Sequence, residues 1–297
     1  MSLKKSKNGE KYPLLSGYPC KSNFIGVEGI QIHYIAEGEI GSPTVLLLHG
    51  VPGWSYTYRN IIPICVASGL RVIAPDLPGF GKSDKPLDKN FYYLEKLVTV
   101  IESFILKLNL ERIFLFSHDW GAIIGMIIAA KNPVLFSGII ACNGFLPMAG
   151  QMIPLSFRLW QWFTQYSPYI PVGKIINFAT SRGLSKVEQA GYDYPFSNER
   201  EKIAIRILPG LIREITKEPG IPAINKCWNE LKKFDKPFLT VFSNNDPISR
   251  GGEKILQSLI PGTRDQPHMV LKGSHFLQED APTELGLIIR EFVKRNK

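Results

Sequence analysis

This chain of 297 residues predicts a doubly wound α/β fold, a mostly parallel sheet between helical layers, interrupted by one helical insertion. Three observations predict it. Short apolar runs recur that show no polar alternation, as strands buried on both faces require. Segments with helical periodicity lie between them. From about residue 146 to 222 the rhythm breaks into aromatic, proline-containing, helix-like stretches with no β run.

In chain order, residues 44–49, 71–74, 113–116, 138–141, 238–242 and 268–271 read as strands. Residues 58–68, 93–108, 121–130 and 282–295 read as helices, and residues 1–23 receive no element. The insertion sits between two core strands, which makes it a lid rather than a tandem domain. The expected division is a core of residues 1–145 and 223–297 and a helical cap of residues 146–222. No internal repeat or low-complexity segment is visible.

Composition narrows the function. With 44% hydrophobic and 21% charged residues the chain is an ordinary globular one. The formal charge is +9, but its Lys and Arg residues are scattered. The loose cluster Lys4, Lys5, Lys7 and Lys11 reads as a solvated tail, so no nucleic-acid partner is expected. Cys20, Cys65, Cys142 and Cys227 have no metal-like spacing and read as unpaired thiols of a reducing compartment. No apolar run is long enough for a membrane span, and the start of the chain has no signal-peptide pattern, so a cytoplasmic protein without a membrane partner is expected. Gly79-Phe80-Gly81-Lys82-Ser83 is no P-loop, because position 76 is Asp where that motif needs Gly. Gly121 and Gly125 suit close helix packing on the sheet.

The most informative stretch is Ser117-His118-Asp119-Trp120-Gly121, between an apolar run and a helical segment. Small residues flanking a central side chain at a strand-to-helix turn form a nucleophile elbow. Here the central residue is Asp119. A carboxylate needs no base to deprotonate it before attacking carbon, which frees a histidine for a second step. His49-Gly50-Val51-Pro52 follows an earlier strand and can aim the Val51 amide at the same point as the Trp120 amide, giving two backbone donors for an oxyanion. Asp246, in Ser243-Asn244-Asn245-Asp246-Pro247, lies where a strand meets the carboxyl edge of the sheet and is the expected orienting acid. His275, in Gly273-Ser274-His275-Phe276, is the expected base. Any one of these residues has an ordinary structural reading, such as Asp119 as a helix cap. The order Asp119, Asp246, His275 is what favours the catalytic one.

The set of motifs closely resembles the haloalkane dehalogenases of the α/β-hydrolase fold, in the subfamily whose acid follows the later strand. The resemblance spans roughly residues 25–295. It rests on His49-Gly50-Val51-Pro52-Gly53-Trp54-Ser55-Tyr56, the run from Ala74-Pro75-Asp76 to Lys85-Pro86, His118-Asp119-Trp120-Gly121, and Gly273-Ser274-His275-Phe276-Leu277-Gln278-Glu279-Asp280. It implies hydrolytic dehalogenation: Asp119 displaces halide to leave an alkyl ester, and His275, steered by Asp246, activates the water that releases the alcohol. No cofactor or metal is implied, and the partners are a small halogenated alkane and water. A monomer or weak oligomer is expected.

The indole of Trp120 suits the departing halide because it donates a hydrogen bond without competing as a nucleophile. Many relatives have Asn after His-Gly as a second donor, whereas this chain has Val51. The resemblance therefore points to the cap residue Trp160, in Phe157-Arg158-Leu159-Trp160, with Trp162 as the alternative, and to Phe157 and Trp162 lining the cavity. Epoxide hydrolysis is the rival function, since such enzymes share the aspartate and polarise the ring with two cap tyrosines, for which Tyr166, Tyr169, Tyr192 and Tyr194 are available.

Overall fold

The computed structural model describes residues 15, 18 and 20–297. The basic cluster at Lys4, Lys5, Lys7 and Lys11 lies outside the described residues. The strands are β1 (Ser22–Val27), β2 (Ile30–Glu37), β3 (Thr44–Leu48), β4 (Arg71–Pro75), β5 (Ile113–His118), β6 (Phe136–Cys142), β7 (Phe238–Ser243) and β8 (Met269–Leu271). The helices are α1 (Ile62–Ala67), α2 (Leu94–Lys107), α3 (Trp120–Lys131), α4 (Leu155–Tyr166), α5 (Val172–Phe178), α6 (Lys186–Asp193), α7 (Ile203–Ile215), α8 (Ile221–Leu231), α9 (Gly252–Leu259), α10 (Leu277–Asp280) and α11 (Pro282–Asn296).

One sheet holds all eight described strands in the order β1-β2-β4-β3-β5-β6-β7-β8. β2 pairs antiparallel with both β1 and β4, and every other pairing is parallel. The six expected strands are present with ends shifted by a few residues. β1 and β2 went unassigned in the sequence; they form a hairpin closed at Glu28 and Gly29, with φ of 53° and 84°, a turn built from two left-handed residues.

Consecutive residues of β5 show why the strands carry no polar alternation. Phe114 meets Phe292 of α11, ring centroids 6.1 Å apart, while Leu115 packs under Gly125 of α3. The strand is therefore covered on both faces. The segment expected as one helix over residues 58–68 divides into a 3-10 turn at Ser55–Tyr58 and then α1. Pro63 lacks an N–H and sits in the first turn of α1, where none is needed.

Between β6 and β7 the chain forms α4 to α8 with no intervening strand. Of these, α8 packs back on α3 and α4 packs on α7. No described helix is long and apolar enough to cross a membrane. The carboxyl ends of β3, β5, β6 and β7 lie side by side, so the turns after them meet at one edge of the sheet.

Candidate active site

Asp119 occupies the turn between β5 and α3 with φ 48° and ψ −118°, a strained conformation for a residue with a Cβ. The strain presents its carboxylate above the sheet. The turn is tight on both sides. A Cβ at Gly121 would stand 2.2 Å from the Leu48 carbonyl oxygen, and one at Gly50 would stand 2.6 Å from Asp119 Cβ. The Val51 amide donates to Asp119 Oδ2 at 2.9 Å, and the Trp120 amide also donates to this carboxylate. The amino end of α3 adds the positive end of its dipole.

The turn that carries Val51 is fixed from behind. His49 accepts the Leu77 amide at Nε2, 2.9 Å away, and its Nδ1 donates to the Gly50 carbonyl at 3.0 Å. Asp76 accepts the Ser55 amide at 2.8 Å, the Lys82 amide at 2.7 Å and His33 Nδ1 at 2.7 Å. The Gly79–Ser83 loop thus wraps a buried carboxylate.

His275 Nε2 lies 3.7 Å from Asp119 Oδ1, and its Nδ1 lies 3.0 Å from Asp246 Oδ2. Asp246 is held in turn by the Ile248 amide at 2.8 Å and by the Ser249 hydroxyl. Burial alone would raise the Asp246 carboxyl, but His275 and these donors bring it down to about 2. Burial likewise opposes charge on His275, yet Asp246 and then Asp119 hold it up at about 9. Burial pushes Asp119 above its ordinary value of 3.8, against His275 and the two amides. The proton that burial favours near Asp119 is thereby held on His275, between two carboxylates.

The signs fix a stability profile. His275 unfolds to an ordinary value near 6.5, so its stabilising contribution is complete below about pH 6.5 and disappears as pH rises through about 9. Asp246 acts in the opposite sense, losing its contribution as pH falls from 3.8 through about 2. In urea unfolding, the wild-type protein should lose more stability than His275→Phe between about pH 6.5 and about pH 9. Equal losses would remove the His275 ion pairs from the account.

Two further residues, not singled out by sequence as functional, hold the base. Asn143, just past β6 with φ 39°, donates from Nδ2 to the Ser274 and His275 carbonyls, each at 2.9 Å, and accepts the Ser243 amide at 2.8 Å. His118 donates from Nε2 to the His275 carbonyl at 2.9 Å. Its burial holds it well below 6.5, so it stays neutral. The only sequence signal for Asn143 is its position at the carboxyl edge beside β5.

A cleft opens over Asp119, lined among others by Ile123, Asn143, Phe145, Phe157 and Ile212. Two of the five tryptophans spend their N–H on backbone carbonyls: Trp54 on Gly191 at 3.2 Å and Trp228 on Pro147 at 3.1 Å. Trp120 is buried beside Asp119, and Trp160 is half-buried against the core; neither indole N–H has a protein acceptor among the described residues. Phe157 lines the cleft. Trp120, Trp160 and Trp162 are not among the side chains that line it, and Trp162 is 64% exposed and tilted against Tyr166. None of the four cap tyrosines lines it either. Tyr166 and Tyr169 are exposed, and Tyr192 is buried with its hydroxyl on Glu279.

Glu279, four residues after His275, also takes a two-pronged contact from Arg59, at 2.5 and 2.9 Å, and one from Arg182 at 2.6 Å. Glu188 of α6 joins both arginines. This buried ionic cluster ties the α5–α6 side of the insertion to the loop of the base. The described residues contain no group of three or more His, Cys, Asp or Glu placed to hold a metal, and all four cysteines are unpaired.

Comparison with known proteins identifies the family. Residues 43–282 match the family model for the alpha/beta hydrolase fold. The chain is 41% identical over 268 residues to a haloalkane dehalogenase of Psychrobacter cryohalolentis, covering 90% of this chain and 88% of that one. It is 39% identical over 281 residues to the haloalkane dehalogenase of Mycolicibacterium paratuberculosis, covering 93% of each. Among solved structures, the tetrameric haloalkane dehalogenase DpaA from Paraglaciecola agarilytica NO2 superposes with a TM-score of 0.81 at 26% identity, covering 93% of both chains. With relatives this similar over nearly its whole length, and with an aspartate on the elbow of its sheet, the chain belongs to the haloalkane dehalogenase family of α/β hydrolases.

Proposed function

We propose that the protein hydrolyses haloalkanes to alcohol and halide through an ester on Asp119. The observation that carries this reading is the elbow itself: a carboxylate, rather than a hydroxyl, at the floor of an apolar cleft, with His275 Nε2 3.7 Å behind it. Asp119 attacks the carbon bearing the halogen, the carbon–halogen bond breaks, and the halide leaves toward the Trp120 and Trp160 indoles. Esterification removes the negative charge of Asp119. That removes one of the two carboxylates holding the proton on His275, so the histidine becomes a base when the ester needs one. Water, deprotonated by His275, adds to the ester carbonyl. The Val51 and Trp120 amides, already on this carboxylate, hold the oxyanion. Collapse returns Asp119 and the alcohol.

No step uses a group beyond these side chains and water. Residues 146–222 act as the cap over the cleft, and four unpaired thiols support a cytoplasmic location. A monomer or weak oligomer completes the reading. Epoxide hydrolysis is less well supported, because it needs two tyrosine hydroxyls over Asp119 and the cap tyrosines point elsewhere.

Two substitutions test the supporting residues. Trp160→Phe should weaken halide binding by about ten-fold, the worth of a lost hydrogen bond to a charge, while Trp162→Phe should leave it unchanged. Halide titration of intrinsic fluorescence measures both, and the reverse ranking would transfer the role to Trp162. Asn143→Ala removes two donors from the loop of the base and should lower kcat by about ten-fold with little effect on KM, since the misplacement concerns ester hydrolysis. An unchanged kcat would make Asn143 dispensable for positioning His275. The reading as a whole is tested by assaying bromide release from 1-bromobutane and diol formation from styrene oxide on one preparation.

A further inference from the structure

The outer face of α4 is apolar and uncovered. Leu155, Leu159, Trp162 and Tyr166 follow one another at helical spacing and are 59–68% exposed, extended by Met152 at 88% before the helix and Tyr169 at 59% after it. Side chains on a surface helix normally reverse this pattern. Here the inner face is filled by Phe157 and Thr164, and the stripe is additional. It also adjoins the cleft, because Met152, Ile153, Pro154 and Phe157 line it.

The only charged residue of α4 is Arg158, and no Asp or Glu lies between Asp119 and Glu188 in the chain. The groove beside α4 brings exposed Lys89 close, together with Glu214, and Arg206 there is already paired with Glu199. The whole chain carries +9.

We infer that α4 is a docking face for an anionic phospholipid surface, which the apolar stripe enters at headgroup depth with the mouth of the cleft beside it. Three features select lipid over a second copy of the chain. Two chains of +9 meeting at the same face would oppose Arg158 to Arg158, whereas an anionic leaflet attracts both. The stripe combines aliphatic side chains with Trp162 and two tyrosines, the rings that prefer the boundary between headgroup and hydrocarbon. A face with Met, Leu, Trp and Tyr and a basic flank is the pattern of a helix that lies in a membrane surface rather than crossing it. This contact departs from the expectation of no membrane partner, which rested on the lack of a spanning segment. It also has a use: apolar substrates concentrate in hydrocarbon, and the cleft would open next to that reservoir. The ionic cluster of Arg59, Glu188 and Glu279 ties α6 to the core.

The test is vesicle flotation of the full chain with phosphatidylcholine alone and with equal parts of phosphatidylcholine and phosphatidylglycerol. The expected result is flotation with the anionic vesicles only, reduced by salt and by Arg158→Glu. Leu155→Ser with Leu159→Ser should lower the bound fraction by about ten-fold with the thermal unfolding midpoint retained. Failure of the wild-type chain to float overturns the proposal, and so does equal flotation of the double variant. Sedimentation velocity showing an oligomer that the double variant dissociates would assign the face to a second copy and overturn it as well. Dehalogenase activity enters none of these readouts.

Discussion

Asp119→Ala is expected to lower kcat for haloalkane hydrolysis by about four orders of magnitude or more, the scale on which removal of a triad nucleophile acts. The size follows from the place of the side chain. Asp119 is the group at the floor of the cleft with both amides and His275 converging on it, and no neighbouring side chain occupies the same turn. Gly50 and Gly144 are packed against its Cβ and backbone, so no other residue reaches the position it leaves. His275 and Asp246 remain in the variant, but hydroxide or water activated by His275 would have to displace halide directly, without the orientation that the strained elbow supplies. Folding is not expected to suffer greatly, because alanine relieves a buried carboxylate whose burial raises its pKa. A folded Asp119→Ala protein with substantial turnover would reject the nucleophile.

His275→Phe should separate the two halves of the reaction. Formation of the ester needs Asp119 and the halide donors, whereas its breakdown needs a base, so the variant should release one equivalent of halide per active site and then stall. Phenylalanine fills the ring volume beside His118 and Phe276, whose centroids lie 4.8 and 5.4 Å from that of His275. Asp246 would lose its partner while buried, which costs stability, but Ser249 and Ile248 still satisfy its oxygens. Continued steady turnover would remove His275 as the base. A variant that releases no halide at all would instead place the base before the ester, contrary to the order proposed.

What the sequence revealed and what it hid divide along sequence distance. The elbow at Asp119 and the turns at Val51 and His275 are local patterns: a strand, small residues and a chemically distinctive side chain within a few positions. The sheet follows from them, since the central strands are apolar on both faces and short. β1 and β2 escaped because their hairpin turn is Glu28-Gly29 rather than a strong turn dipeptide, and because β2 buries a polar residue, His33, to meet Asp76, far away in the chain. Asn143 and the Arg59–Glu279 cluster were invisible for the same reason. Their partners lie 131, 132 and 220 residues distant, and neither residue type announces a role on its own. The cap was readable as helical but not in its facing. Trp160 and Trp162 are two positions apart, so a helix must turn them to different sides, and only the packing of α4 on α7 decides that Trp162 faces out.

The central claim is a covalent bond between substrate carbon and Asp119. It is tested most directly by incubating His275→Phe with 1-bromobutane, digesting the protein, and locating any adduct by mass spectrometry. The account predicts one butyl group in place of a proton, on the peptide spanning β5 and the start of α3 and fragmenting to Asp119. An unmodified peptide after bromide release, or a butyl group on any other side chain, would contradict it.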